Sequence, residues 1–483
     1  MKNTKKMLLS LGLALLLLPS SYAQQKKWSL KECVEYALKN NISIKLSGLD
    51  VATAEVAKSD AFGGFLPSAN LQGSHSWNIG LNQNITTGIL QNQTTQFTSL
   101  GGNVGIDIYS GMQRQHRFSR SRLALIAAQY QLTKMQEDIA LNVANSYLQI
   151  LFNKENLKVQ QQQLTYDNQR MERVAQLVEA GSVPQGDLLD VKATVATDTQ
   201  NKITAENALL ISKLTLAQLM QLENFQDFDT EDRDYPTDET GVLLRSAAEV
   251  YGKAKEIRTD IKIAKQNVDV AEKDVSIAKG AYQPTLQGFY SFTTRAAYSQ
   301  RVTGYTLSPI NPWTPVGTVQ ETGQAVVTPN YIPILGKHAP LWDQFDQNKG
   351  HSFGLSLSVP ILNGLSTRNN VARAKIALER SRITLQQQEL TLEQNVYKAY
   401  TDAQGALNAY EAAKVTLTAR EQSKEYARER YEVGLINVFD FNQAQTLFVN
   451  AQSELLRTKY DFIFKVKILE FYFGIPISQI ADK

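Results

Sequence analysis

The sequence predicts a mainly α-helical protein with a membrane β component, built as two copies of one unit. Three observations carry that prediction. Gly181 and Gly434 stand 253 residues apart, and the same offset relates Asp187 to Asp440 and Gly111 to Gly364. From Met112 to Ala180 there is neither glycine nor proline, so an unbroken helix there would run roughly 100 Å at about 1.5 Å per residue. Four segments alternate apolar and polar residues with the period of two that marks a β-strand. A repeat at fixed offset means one architecture made twice, not two unrelated domains.

The chain opens with MKNTKKMLLSLGLALLLLPSSYA, a basic end followed by an apolar core from Met7 to Leu18 and small residues at Ser21 and Ala23. This predicts a secretory leader at residues 1–23, cleaved after Ala23, because the apolar core is too short to anchor the chain. Loss of its three lysines takes the formal charge from +3 to neutral, and no basic cluster points to nucleic acid. Cys33 is the only cysteine, so no internal disulfide exists, and it reads as a small core residue.

The first structural repeat is expected over residues 24–226. Its first helix, from Trp28 to about Phe62, has Val34, Leu38, Ile42, Leu46 and Leu49 at helical spacing and ends before Pro67. A strand follows, with Ala69, Leu71, Gly73, Trp77 and Ile79 on one face and Ser68, Asn70, Gln72, Ser74, Ser76 and Asn78 on the other. A linker rich in Asn, Gln and Thr is expected up to about Ser99. A second strand then places Leu100, Val104, Ile106 and Ile108 opposite Asn103 and Asp107. After Gly111 comes the long helix, with Ile139, Val143, Ile150, Leu157 and Leu164 in heptad register and Ser146, Asn153 and Gln160 between them. So polar a seam suits helices ranged around a wet interior better than a two-stranded coiled coil. A glycine turn leads to the partner helix, from Asp187 to about Leu222.

An acidic linker, residues 227–245, joins this unit to the second repeat, residues 246–483. There a helix from about Ala247 to Lys279 ends before Pro284, which lies 217 residues after Pro67. Strands are expected at about Thr285–Thr294 and His351–Ile361, the latter with Phe353, Leu355, Leu357, Val359 and Ile361 on one face. Between them the second copy gains 36 residues, within a long loop at 295–350 that holds six of the thirteen prolines. A long helix from about Thr367 and a last helix from about Asn437 to Phe473 complete the unit, with Val396, Ala403, Tyr410 and Leu417 repeating the seam.

Four strands with an apolar face match the span and pattern of outer-membrane strands. A four-stranded sheet cannot stand alone in lipid, because its edges leave backbone groups unsatisfied. About eight strands are needed to enclose an interior, so the chain must combine with copies of itself. Two copies and three copies both satisfy that arithmetic. A soluble sheet packed under helices would alternate too, but helices far longer than such a sheet could cover count against it.

With these pieces placed, the chain resembles the TolC family of outer-membrane efflux channels. The residues that carry the resemblance are Pro67 and Pro284 entering strands, and Tyr109-Ser110-Gly111 and Leu362-Asn363-Gly364 leaving them. The tips Glu179-Ala180-Gly181 with Asp187 and Glu432-Val433-Gly434-Leu435 with Asp440 match as well. The resemblance implies a homotrimer with a twelve-stranded β-barrel in outer-membrane lipid and a twelve-helix tube in the periplasm. It further implies that the tube meets a periplasmic adaptor (membrane fusion) protein, which connects it to an inner-membrane pump. It implies passive conduction, with no catalytic centre, cofactor or metal.

Residue by residue, the adaptor-docking tips fall at Val433, Gly434 and Leu435 and at Ala180, Gly181 and Ser182. The family's aspartate ring at the periplasmic aperture falls on Asp440, while its second aspartate falls at Gln443. Asp187 and Asp190 of the first copy are the alternative source of that charge. The lipid-facing set is Leu71, Trp77, Val104, Ile106, Ile108, Phe353, Leu355, Leu357 and Val359. Each tip glycine is also a plain helix terminator, and each aspartate also suits a helix N-terminus. Arg114, Arg117, Arg120 and Arg122 read as a solvated helix face, with lipid phosphates as the alternative partner. The competing function is a stand-alone porin or periplasm-spanning structural protein without a pump partner. The sequence has no nucleophile elbow, phosphate loop or metal spacing, which leaves an enzyme without support, and the cargo is not legible.

Overall fold

The computed structural model describes residues 27–83, 88–223, 226–233, 241 and 243–475; the leader expected at 1–23 lies outside them. In order the elements are β1 (Lys27–Trp28), α1 (Leu30–Asn40), α2 (Ile42–Gly63), β2 (Ser68–Gln83), β3 (Leu90–Ser110), α3 (Gln113–Glu179), α4 (Gln185–Met220) and β4 (Asp229–Thr230). They continue with α5 (Ala247–Ile257), α6 (Thr259–Gly280), β5 (Thr285–Ala297), β6 (Arg301–Leu307), β7 (Trp313–Thr318), β8 (Ala325–Pro329) and β9 (Tyr331–Gly336). The last four are α7 (Leu341–Gln347), β10 (Gly350–Ser358), α8 (Ser366–Glu432) and α9 (Val438–Phe473). Helices α3 and α8 are both 67 residues long, and α4 and α9 are both 36. The shorter pairs match too, α1 with α5 at 11 residues and α2 with α6 at 22. Among the described residues no helix is long and apolar enough to cross a membrane.

The chain divides into two compact units. The helical unit takes the residues up to Val56, Arg122–Val270 and those from Leu378 onward. Each half opens on a capping box, in which a serine side chain accepts the amide of a glutamate three residues on and that glutamate accepts the serine amide. The pairs are Ser29 with Glu32 and Ser246 with Glu249. The single helices expected at Trp28–Phe62 and Ala247–Lys279 are each broken in two. Asn41 and Arg258 leave helical geometry at ψ 131° and 129°. Asn41 satisfies the break itself, accepting from the amide of Ser43 at 2.8 Å and donating to the Leu219 carbonyl at 2.9 Å. The largest core of this unit buries Cys33, Val34, Val143, Tyr147, Ile150, Leu216 and Met220, so Cys33 is the core residue expected. A second core buries Val250, Ala254, Ile261, Val396, Ala403 and Leu469. The acidic link between the halves is tied down in part, since β4 pairs in parallel with β1 and Lys154 bonds both Asp229 and Asp232.

The strand unit takes Ala57–Ser121 and Ala271–Ala377. Its sheet has the order β10-β5-β3-β2, with every neighbouring pair antiparallel. The register aligns faces row by row: Ala69, Val104, Tyr290 and Phe353 form one row, and Asn70, Asn103, Ser291 and Ser352 form the next. The linker expected up to Ser99 is instead strand, because its Asn, Gln and Thr backbone pairs with β2 as far as Gln83 opposite Leu90. Nor is the segment 295–350 a structureless loop. It holds two further antiparallel pairs, β6 with β9 and β7 with β8, and α7, whose Gln344 side chain bonds both backbone groups of Ala297. Where β3 turns into α3, Gly111 (φ 63°) crosses Gly280 so closely that a Cβ on either would collide with the other's carbonyl oxygen. Arg114 braces this corner and is no solvated residue: it donates to the carbonyls of Gly64 and Asp107 and to Ser110 Oγ. Arg120 is paired with Asp274 at 2.6 Å.

Candidate functional site

The two helical tips are built alike. At the end of α3 the amide of Ser182 donates to the Leu177 carbonyl at 2.8 Å and that of Gly181 to Val178 at 2.9 Å. At the end of α8 the amide of Leu435 donates to Arg430 at 2.8 Å and that of Gly434 to Tyr431 at 3.0 Å. This is the Schellman pattern, which needs a left-handed residue at its centre. Gly181 and Gly434 supply it at φ 70° and 75°. Ala180, Gly181 and Ser182 are exposed, as are Val433, Gly434 and Leu435. Val433 and Leu435 are each 70% exposed, an unusual state for aliphatic side chains at a turn. Behind the tips a small core joins the hairpins, with Val438 of α9 buried among Val174, Leu188 and Val191.

Asp187 and Asp440 lie in the first turns of the outgoing helices but cap neither. Asn437 caps α9, its Oδ1 accepting the Asp440 amide at 2.8 Å, and Pro184 holds the corresponding place before α4 without a side-chain bond. Asp187 and Asp190 stand one turn apart on α4, and Asp440 and Gln443 occupy the same two places on α9. Asp190, Asp440 and Gln443 are exposed and Asp187 is half-buried. Asp190, Asp440 and Gln443 thus face solvent.

The sheet presents the second surface. Leu71, Trp77, Phe353, Leu355 and Leu357 are more than half exposed, and Val104 and Ile106 are 38% and 39% exposed on the same face. Ile108 is left unpaired by a bulge between Asp107 and Tyr109, yet its Cδ1 still lies beside Ile106 against Gly288. Val359 falls outside β10, which ends at Ser358 two residues before Pro360, so it is exposed but not part of a strand. The opposite face is polar and internally bonded, Ser291 to Asn103 at 2.8 Å and Gln287 to Asp107 at 2.9 Å.

Sequence reasoning missed a polar cluster inside the helical unit. Asp167 of α3 is wholly buried and Asp198 of α4 is 8% exposed, with their carboxyls within hydrogen-bond reach of each other. Burial, then the neighbouring Asp167, pushes the Asp198 carboxyl up to about 7. Arg170 lies 3.7 Å from Asp167, donates to Asn442 of α9, and stacks over the rings of Phe441 and Tyr431. Gln163 bonds Asp167 and in turn accepts from Gln445 of α9 at 2.7 Å. Nothing in the spacing of Asp167 and Asp198 on two different helices announces that they meet.

Comparison with known proteins places this geometry. The family model for outer membrane efflux proteins matches residues 34–220 and 250–470. The outer membrane protein TolC of Vibrio cholerae is 21% identical over 358 residues, covering 73% of this chain and 71% of TolC. TolC of Escherichia coli is 21% identical over 336 residues, with 59% of its length matched. Among solved structures, a membrane protein from Pseudomonas aeruginosa superposes with a TM-score of 0.73 at 16% identity, over 92% of this chain and 90% of that one. The outer membrane protein VceC of Vibrio cholerae superposes at 0.71 and 16%, over 92% and 96%.

Proposed function

Because the chain belongs to the outer membrane efflux protein family, and is thus an outer-membrane protein, we propose that it is the trimeric exit duct of a tripartite efflux or type I secretion system. In this reading a leader is removed and the two halves are copies of one unit. Three four-stranded sheets close one barrel in the outer membrane, and the helical hairpins form a tube in the periplasm. The tips at Ala180–Ser182 and Val433–Leu435 dock a periplasmic adaptor that links to an inner-membrane pump. Asp440 and Gln443, with Asp187 and Asp190, line the aperture. Conduction is passive, with the energy supplied by the pump.

The observation that carries the reading is the sheet itself. It has one apolar face open across all four strands, and β2 and β10 each have a partner on one side only. Such edges are tolerable in lipid only when copies complete the ring. The test is reconstitution of the full chain in planar bilayers, together with photo-crosslinking from position 435 in cells. A trimer-sized species that conducts, and an adaptor-sized adduct from the tip, are expected. Conduction without an adduct from either tip favours a stand-alone porin, and a monomer that ignores detergent and lipid overturns the channel.

A further inference from the structure

One buried cation, Arg170, lies 3.7 Å from the buried Asp167, whose carboxyl neighbours that of the buried Asp198. Arg170 gives one Nη1 hydrogen to Asn442 and leaves Nε and Nη2 without hydrogen-bond partners, while Asp167 Oδ1 and Asp198 Oδ2 also lack them. The other groups around the pair are accounted for. On α3 there are Tyr166 and Arg173, and on α4 Lys202, held by Glu206 at 2.9 Å. From α8 come Tyr431 and Arg428, the latter held by Glu425 at 2.6 Å. From α9 the facing side chains are the neutral Asn442 and Gln445. Two neighbouring carboxyls in so dry a place do not both ionise at once without a large cost. The second repeat has Arg420 and Ala451 at the corresponding places, so a hairpin of this length folds without such a pair.

We propose that Asp167 and Asp198 form a proton-binding site whose occupancy decides whether Arg170 ties α3 to α9. With one proton shared, the pair carries a single negative charge and Arg170 stays on Asn442. When that proton leaves, the pair carries two charges. Arg170 turns its idle Nε and Nη2 donors onto them and lets Asn442 go. The proton exits to water by way of Gln163, which bonds Asp167 and lines the neighbouring cleft with Tyr166, Arg428 and the mutually paired Lys424 and Glu425. The consequence for transport rests on the channel reading: α9 starts at the proposed entrance, so raising the pH loosens the second hairpin there and favours opening.

The test uses the full chain in detergent or liposomes. Infrared titration should show a protonated-carboxyl band in the wild type that is lost as pH rises through about 7, and Asp198→Asn should remove that titration. Hydrogen exchange at the first turns of α9, corrected for intrinsic rates, should accelerate roughly tenfold across the same window, the loss of about one charge-assisted hydrogen bond. Asp198→Asn should hold α9 protected at both ends of the window. Asp198→Ala, which copies Ala451, controls for a fault peculiar to Asn. A wild type without the titrating band, a band untouched by either substitution, or α9 exchange that ignores pH each overturns the proposal. If band and exchange behave as stated but the protein never conducts, the switch stands and the channel reading fails.

Discussion

Placing one arginine at two neighbouring positions of β10 tests which face of the sheet meets lipid. Phe353 shares a row with Tyr290, Val104 and Ala69, and Ser352 shares the adjacent row with Ser291, Asn103 and Asn70. Phe353 is 81% exposed in the protomer, so its ring is available to hydrocarbon. An arginine on the lipid face of an outer-membrane strand costs about 2–4 kcal/mol at the midplane and roughly 0–1 near the interfaces. Gly354, between Phe353 and Leu355, is near the middle of the nine residues of β10, which puts Phe353→Arg toward the upper part of that range. Ser352→Arg adds its charge to a polar face that already holds Asp107 and Arg295, and should stay within about 0.5 kcal/mol. Because the two sites share a strand, strand propensity cancels in the comparison. The assay is urea unfolding from liposomes, read as the midpoint and the fraction of folded trimer. Equal costs, or a larger one at Ser352, would show that the apolar face does not meet lipid.

Gly434→Ala places a Cβ where no atom lies within 4 Å, so its cost is conformational alone, about 1–2 kcal/mol at φ 75°. Thermal unfolding measures it, and a loss well above that range would mean the tip is packed in a way the protomer does not reveal. Asp440→Ala should raise single-channel conductance and weaken block by multivalent cations, as the removal of like charges around a narrow axis demands. Unchanged conductance and block would take Asp440 out of the aperture. The joint between the halves should be acid-sensitive. Burial raises the Asp232 carboxyl, but hydrogen bonds from Lys154 and Lys27 outweigh that and hold it at about 2. A depressed carboxylate contributes stability above its ordinary value and loses it as pH falls toward about 2. Because Asp232 is 45% exposed the effect is modest. Lys154→Met should flatten the fall in melting temperature over that acid range, and an unaltered fall would absolve this pair. Asp198 has the opposite sign: its raised carboxyl contributes stability that is complete below the ordinary carboxylate value and lost as pH rises through about 7.

The long helices were legible because their punctuation is local. A Gly-free, Pro-free run followed by one glycine specifies where a helix stops. The two 67-residue helices end at Glu179 and Glu432, each two residues before its glycine. The strand face was legible for the same reason, since alternation is a property of the segment alone. What the sequence hid depends on partners far along the chain. Leu90–Ser99 has no apolar alternation and reads as a linker, yet β2 supplies its backbone bonds. The break at Asn41 is invisible in periodicity because apolar spacing continues across it, and it is fixed by a carbonyl 178 residues away. The segment 295–350 looked like a loop because of its prolines, but Pro315, Pro329 and Pro333 lie in two-stranded ribbons that have no third neighbour, where a missing amide is tolerated.

The same rule explains the site. The tip residues announce themselves, because a turn between helices is written in consecutive positions. Their proposed use does not, because an aperture of the kind we propose draws one residue from each of several copies, and no single chain contains it. The Asp167–Asp198 pair lies between these cases. Each aspartate alone looks like an ordinary charge on a polar helix, and only the pairing of α3 with α4 turns two surface-type residues into one buried pair. The hairpin therefore fixes the relation between its two aspartates more firmly than anything it says about cargo. Cargo selection needs a differential contact, and on the polar face of the sheet Ser291 bonds Asn103 and Gln287 bonds Asp107, side chains that are already paired with one another. In the proposed duct such a lining discriminates little by itself, so on that reading the choice of substrate falls to whatever loads it at the tips.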